Sequence, residues 1–147
     1  MKVRSKRMKI VVELAKRDED SAVTAFQQAQ KALAAEQKKL NDLDQYYAGY
    51  EDYFAGNQQG VRATDLQNAR LFLQQLSEAK SSQRMQIKKI EKLLEEKQQA
   101  WQRLHLKHKS LVDLVERMEK EESLELSKKE QQILDEWVNQ SNVDSSS

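Results

Sequence analysis

With 147 residues, 33% of them charged and 38% hydrophobic, the chain has the length of one domain but a poor composition for a compact core. A formal net charge of +1 argues against bulk electrostatic attraction to nucleic acid or acidic partners, and zero cysteine excludes disulfides and thiolate chemistry while fitting a reducing cytosol. No apolar run approaches the ~18 residues of a membrane span, and the N-terminus lacks the apolar segment of a signal peptide, so a soluble chain is expected.

With no proline, only three glycines, and much Gln, Lys, Glu, Leu and Ala, little interrupts regular structure and that structure should be helical. Residues 1 to 17 are basic: Lys2, Arg4, Lys6, Arg7, Lys9, Lys16 and Arg17 stand against the single acid Glu13. They read either as a solvated helix start or as a patch for an acidic protein surface or anionic lipid.

From Met8 a 4-3 spacing runs without a slip through Val12, Ala15, Glu19, Ala22, Phe26, Ala29, Leu33, Glu36, Leu40, Leu43, Tyr47, Tyr50 and Phe54, and only Glu19 and Glu36 break its apolar character. A repeat averaging about 3.5 residues keeps one stripe in place only if helices wrap one another, so this first helix, about residues 4–55, needs a partner. Its many alanines permit close approach but bury little area, which predicts a thin seam.

Leu40 to Thr64 reads as the tip of a helical hairpin. All three glycines, Gly49, Gly56 and Gly60, fall in it, and Gly56 to Gly60 frames the polar run Asn57-Gln58-Gln59. Just before the turn, set at residues 56–64, come Tyr46, Tyr47, Tyr50, Tyr53 and Phe54. Tyr47, Tyr50 and Phe54 hold seam positions, leaving Tyr46 and Tyr53 for contact with a partner.

The second helix, about residues 65–122, is expected to open at a capping box from Thr64 to Gln67. Its seam runs Leu66, Ala69, Leu73, Leu76, Lys80, Gln83, Ile87, Ile90, Leu94, Lys97, Trp101, Leu104, His108, Leu111, Val115, Met118. A competing stripe, Phe72, Leu76, Ala79 and Gln83, cannot face the first helix at the same time, so either Leu73 or Phe72 is left towards solvent. An apolar residue exposed beside a polar-broken seam is a candidate docking face.

Residues 84–109 carry eight basic side chains against Glu91, Glu95 and Glu96, which a solvated coiled-coil face explains. A nucleic-acid-binding coiled coil is the alternative, weakened by the scarcity of aromatics for stacking. Ser127 to Glu130 forms a second capping box, predicting a short separate helix at about 128–140 with Ile133, Leu134, Trp137 and Val138 on one side, then a disordered tail at 141–147. The expected fold is thus all-α, a long antiparallel two-helix coiled-coil hairpin with a short C-terminal helix, in one domain. The heptads allow the pairing within one chain or swapped between two.

Chemistry is sparse. His105 and His108 lie three apart on one helix, yet no nearby Cys or Asp completes a metal set, so no metal or cofactor is expected. There is no glycine-rich phosphate loop or nucleophile elbow, and a two-helix coil offers no substrate cavity, so no enzymatic activity is expected.

In these features the chain resembles the bacterial flagellar type III export protein FliJ across nearly its whole length. The resemblance is carried by the basic amphipathic start, Leu43-Asp44-Gln45-Tyr46-Tyr47-Ala48-Gly49-Tyr50, and Gly60-Val61 before the second helix. Phe72 and Leu76, Ala100-Trp101, Arg117-Met118-Glu119, and Lys128-Lys129-Glu130 leading to Leu134-Asp135-Glu136-Trp137 complete it.

The resemblance implies a stalk similar to the coiled coil of the rotary ATPase γ subunit, lying on the cytoplasmic side of the inner membrane at the flagellar base. Its implied partners are the hexameric export ATPase, the ATPase regulator, the cytoplasmic domain of the export gate, and substrate-specific export chaperones that it recycles. Neither nucleic acid nor membrane insertion is implied. The family's gate-docking pattern falls on Phe72, Leu76 and Ala79, with Gln83 where the family has histidine. The equivalent stalk of a virulence-type secretion system is a second reading of the same architecture.

Overall fold

The computed structural model describes residues 2–56 and 63–145. Two α-helices account for them, α1 (Lys2–Gly56) and α2 (Ala63–Ser145), and no strand occurs among the described residues. The expected turn at 56–64 lies largely outside them. Thr64 falls inside the first turn of α2 rather than ahead of it, a shift of the size usual for helix ends.

The chain divides into two compact units, Met1–Ser21 with Gln102–Ser147, and Ala22–Trp101. In each, a stretch of α1 packs against a stretch of α2 of the same chain, and the two run antiparallel. In the first unit Ser5 meets Glu122, Lys9 meets Glu119, and Glu19 meets His105 and His108. In the second, Phe26 stacks on Trp101 at 6.3 Å, Asp44 pairs with Lys80, and Tyr50 packs on Phe72.

The 4-3 spacing places the seam correctly. Every α1 position from Met8 to Phe54 in that series is buried or half-buried except Tyr50, and every α2 position from Leu66 to Met118 except Lys97. The seam is as thin as its alanines imply. The buried apolar residues are Ala15, Ala29, Ala69, Ile87 and Val115, and no large side chain among the described residues is fully buried. Two helices shield a side chain from two directions only, so each layer stays partly wet.

The C-terminal region differs from the expected short helix, and of the tail expected at 141–147 residues 146 and 147 lie outside the described residues. α2 continues from Glu122 through Ser127 to Ser145, and every residue from Ser123 to Asp144 is exposed. The capping box at Ser127 loses because a cap forms only where a helix must begin. No glycine or proline interrupts Ala63 to Ser145, and serine costs a continuing helix only about 0.5 kcal/mol. Ser5 pairs with Glu122 and α1 starts at Lys2, only three residues before it, so beyond the next turn no described α1 residue lies alongside α2. Leu126, Ile133, Leu134, Trp137 and Val138 are accordingly left on the surface.

Candidate functional site

The competition between two stripes around residue 72 is settled by which leucines the seam takes. Leu73 and Leu76 turn inward and are half-buried, so Phe72 remains 38% exposed and Ala79 is exposed. Phe72, Leu76, Ala79 and Gln83 follow one another at i, i+4, i+7 and i+11, which keeps them on one strip of α2. The strip is graded: Phe72 and Ala79 stand at its outer edge, Leu76 and Gln83 at the seam.

Phe72 is held in place by a small aromatic assembly. Its ring packs edge-on against Tyr50 with centroids 4.9 Å apart and planes at 81°, and Tyr50 in turn stacks on Phe54 at 6.2 Å. Edge-to-face and offset pairs of this kind contribute about 0.5–1.5 kcal/mol beyond the area they bury. Tyr53 adds an edge contact to Phe54 at 5.5 Å. Tyr46 and Tyr53, the residues expected to contact a partner, are 60% and 62% exposed, and with Gly49 and Tyr50 they line an open groove of about 330 Å³. Tyr47, on the seam, lies under the Lys80 ammonium, 4.5 Å from the ring centroid. That same ammonium is 2.9 Å from Asp44, so a seam lysine is satisfied on two sides.

Gln83 is engaged within the seam. Its amide donates to the main-chain carbonyl of Glu36 at 2.9 Å and to the Glu36 carboxylate. The Glu36 carboxyl is held below the usual carboxylate range by Gln83 first and by Lys39 second.

Of the basic start, Arg4, Lys6 and Arg7 are exposed, whereas Lys9 pairs with Glu119 at 3.0 Å. Lys2 is the first residue of α1. Ser5 in this stretch is buried, and its amide and hydroxyl both donate to the Glu122 carboxylate, at 3.2 and 2.8 Å. The N-terminal end of a helix carries the positive end of its dipole, so a carboxylate supplied there by α2 is favourably placed.

The two histidines share one carboxylate. His105 Nδ1 and His108 Nδ1 each lie 2.7 Å from a different oxygen of Glu19, and with protons on Nδ1 both rings donate to it. These bonds, that of His105 foremost, hold the Glu19 carboxyl below its ordinary range although burial pushes the other way. Among the described residues no group of His, Cys, Asp or Glu is placed to hold a metal ion.

The polar breaks in the two stripes therefore meet: Glu19 with His108, and Glu36 with Gln83. Reading each helix alone identifies the breaks but not their pairing. The signal lies in the two stripes laid antiparallel, where an acid on one comes opposite a donor on the other. The Ser5–Glu122 lock is one further step of the same series, since the 4-3 spacing extended back from Met8 reaches Ser5 and extended on from Met118 reaches Glu122.

Among the described residues no helix is long and apolar enough to cross a membrane. The family model for the flagellar FliJ protein matches residues 5–145 of the chain. Neither the curated proteins nor the solved structures give a significant match to it.

Proposed function

Because the chain belongs to the FliJ family of flagellar proteins and with it to the flagellar export apparatus, we propose that it is the non-enzymatic stalk of the export ATPase. In this reading it inserts into the hexameric ATPase, promotes ring assembly and turnover, links the ring to the export gate, engages the ATPase regulator and recycles empty export chaperones. It acts on the cytoplasmic side of the inner membrane at the flagellar base.

The observation that carries the reading is the family match over nearly the whole chain. Two features support its division of labour. The unit holding both termini offers the basic residues Arg4, Lys6 and Arg7 and an uncovered apolar helix with Ile133 and Trp137, the chemistry of an end that enters another protein. The other unit offers Phe72 on an aromatic base, with Leu76, Ala79 and Gln83 behind it, as the gate-facing strip.

Deletion of the gene tests the reading. Secretion of flagellar hook and filament subunits should fall sharply and return with a plasmid copy. Undiminished flagellar secretion would refute it, and loss confined to virulence effectors would move the stalk to that system.

A further inference from the structure

Beyond Glu122, α2 carries an apolar stripe that does not belong to the seam. The 4-3 series of the seam, continued from Met118, runs Glu122, Glu125, Lys129, Gln132 and Glu136, all polar. The exposed apolar residues keep the same spacing one residue later, as Leu126, Ile133 and Trp137, with Glu130 the polar member of the set. One residue is about 100° of helix rotation, so this stripe stands on a different side of α2 from the line that α1 follows. A longer α1, from this chain or exchanged from another, would therefore meet the polar line. Leu134 and Val138 widen the stripe on the edge away from Lys129 and Glu136, and both are exposed.

Spacing and charge together say what covers it. A 4-3-4 run is the pattern of a helix that wraps one other helix. Lys129 and Glu136, both exposed, flank the stripe on one edge, seven residues apart. When a second copy of the stripe is laid antiparallel, Leu126 comes opposite Trp137 and Glu130 opposite Ile133. The flanking edges then face each other, so Lys129 of each copy lies beside Glu136 of the other. In the parallel order Glu130 would face Glu130 in the middle of the stripe, and Lys129 would face Leu134 instead of an acid. The stripe is thus complementary to itself in one direction only. Its residues 126–137 span about 17 Å, short of what an interface of about 1,200 Å² needs, so the contact is weak and opens on dilution.

We propose that the chain pairs reversibly with a second copy of itself through residues 126–137 of α2, antiparallel, with Leu126 against Trp137 and Lys129 beside Glu136 at each end of the contact. The two copies are related by a two-fold axis, which closes the assembly at two. The α1–α2 seam of each copy stays intact, so this is not an exchange of helices. The pairing does not rest on the export-stalk reading, which gives the same stretch to a different partner.

The test is sedimentation equilibrium of the full chain over a dilution series, with circular dichroism to confirm that each variant stays helical. The mass should rise with concentration from 17.2 kDa towards twice that value and stop there. Ile133→Glu with Trp137→Glu should hold the mass at one copy. Lys129→Glu alone and Glu136→Lys alone should each raise the dissociation constant about tenfold, since each turns both flanking pairs into like charges. The double variant Lys129→Glu with Glu136→Lys restores opposite charges and should bring the dissociation constant back near that of the wild type. A mass fixed at one copy up to millimolar chain would overturn the proposal, as would a mass that climbs past two copies. A two-copy mass that survives Ile133→Glu with Trp137→Glu would overturn it in favour of helices exchanged in the seam. Pairing that ignores both single charge reversals, or a double reversal that fails to restore it, would overturn the antiparallel contact.

Discussion

Gln83 uses both amide hydrogens on a single residue of the opposite helix, the carbonyl and the carboxylate of Glu36. A glutamine and a glutamate that each interrupt an apolar stripe thereby satisfy one another. The Glu36 carboxyl is held below its ordinary range chiefly by this contact, with Lys39 second. In Gln83→Ala the Glu36 pKa should rise towards the ordinary carboxylate value, as read by carboxyl-carbon NMR titration. An unmoved value would show that Gln83 is not its main partner in solution.

The seam predicts unequal costs at residues 72 and 76. Leu76→Ala removes half-buried area and should cost about 1–2 kcal/mol in urea unfolding, whereas Phe72→Ala, on the outer edge, should cost less. The double variant should lose capture of the gate's cytoplasmic domain while keeping its helical content. Loss of both together would make the two residues core and nothing more.

Glu19 predicts a pH dependence of definite sign. Its carboxyl is held below the usual value of 4.5, by His105 first, so in the folded state it releases its proton at lower pH than in the unfolded chain. The resulting stabilisation is fully present above about pH 4.5 and is lost as the pH falls through the lowered folded value. Wild type should therefore be more stable than Glu19→Gln at neutral pH, with the gap closing in acid. A gap that stays constant down to strongly acidic pH would contradict the pairing with His105 and His108.

Two isoleucines on α2 should behave oppositely. Ile87 is 7% exposed and its replacement by alanine should cost about 2–3 kcal/mol. Ile133 is 65% exposed on the uncovered stretch, and Ile133→Ala should change stability by no more than about 0.5 kcal/mol. If Ile133→Ala unfolds the chain as Ile87→Ala does, that stretch is covered in solution.

How far these features can be read from sequence depends on the range of the force behind each. The seam is legible because its period is written in every turn, from Met8 to Phe54 and from Leu66 to Met118. The exposure of Phe72 is half legible: the stripes show that Phe72 and Leu73 compete, but only the position of the opposing helix decides for Leu73. The continuation of α2 past Ser127 runs against the local signal because a capping box is a preference of about 1 kcal/mol, too small to end a helix whose flanks are uninterrupted. The sharing of Glu19 by His105 and His108 is hidden for the opposite reason. It joins residues 86 and 89 positions apart, and no spacing within one helix announces it.

The stalk reading is tested most directly by the turnover of the purified export ATPase with and without this protein. ATP hydrolysis per ATPase subunit should rise as the chain is added up to an equal ratio, with hexameric rings appearing in parallel by negative-stain microscopy. Turnover and ring formation that both stay flat, with the added chain fully helical, would contradict it.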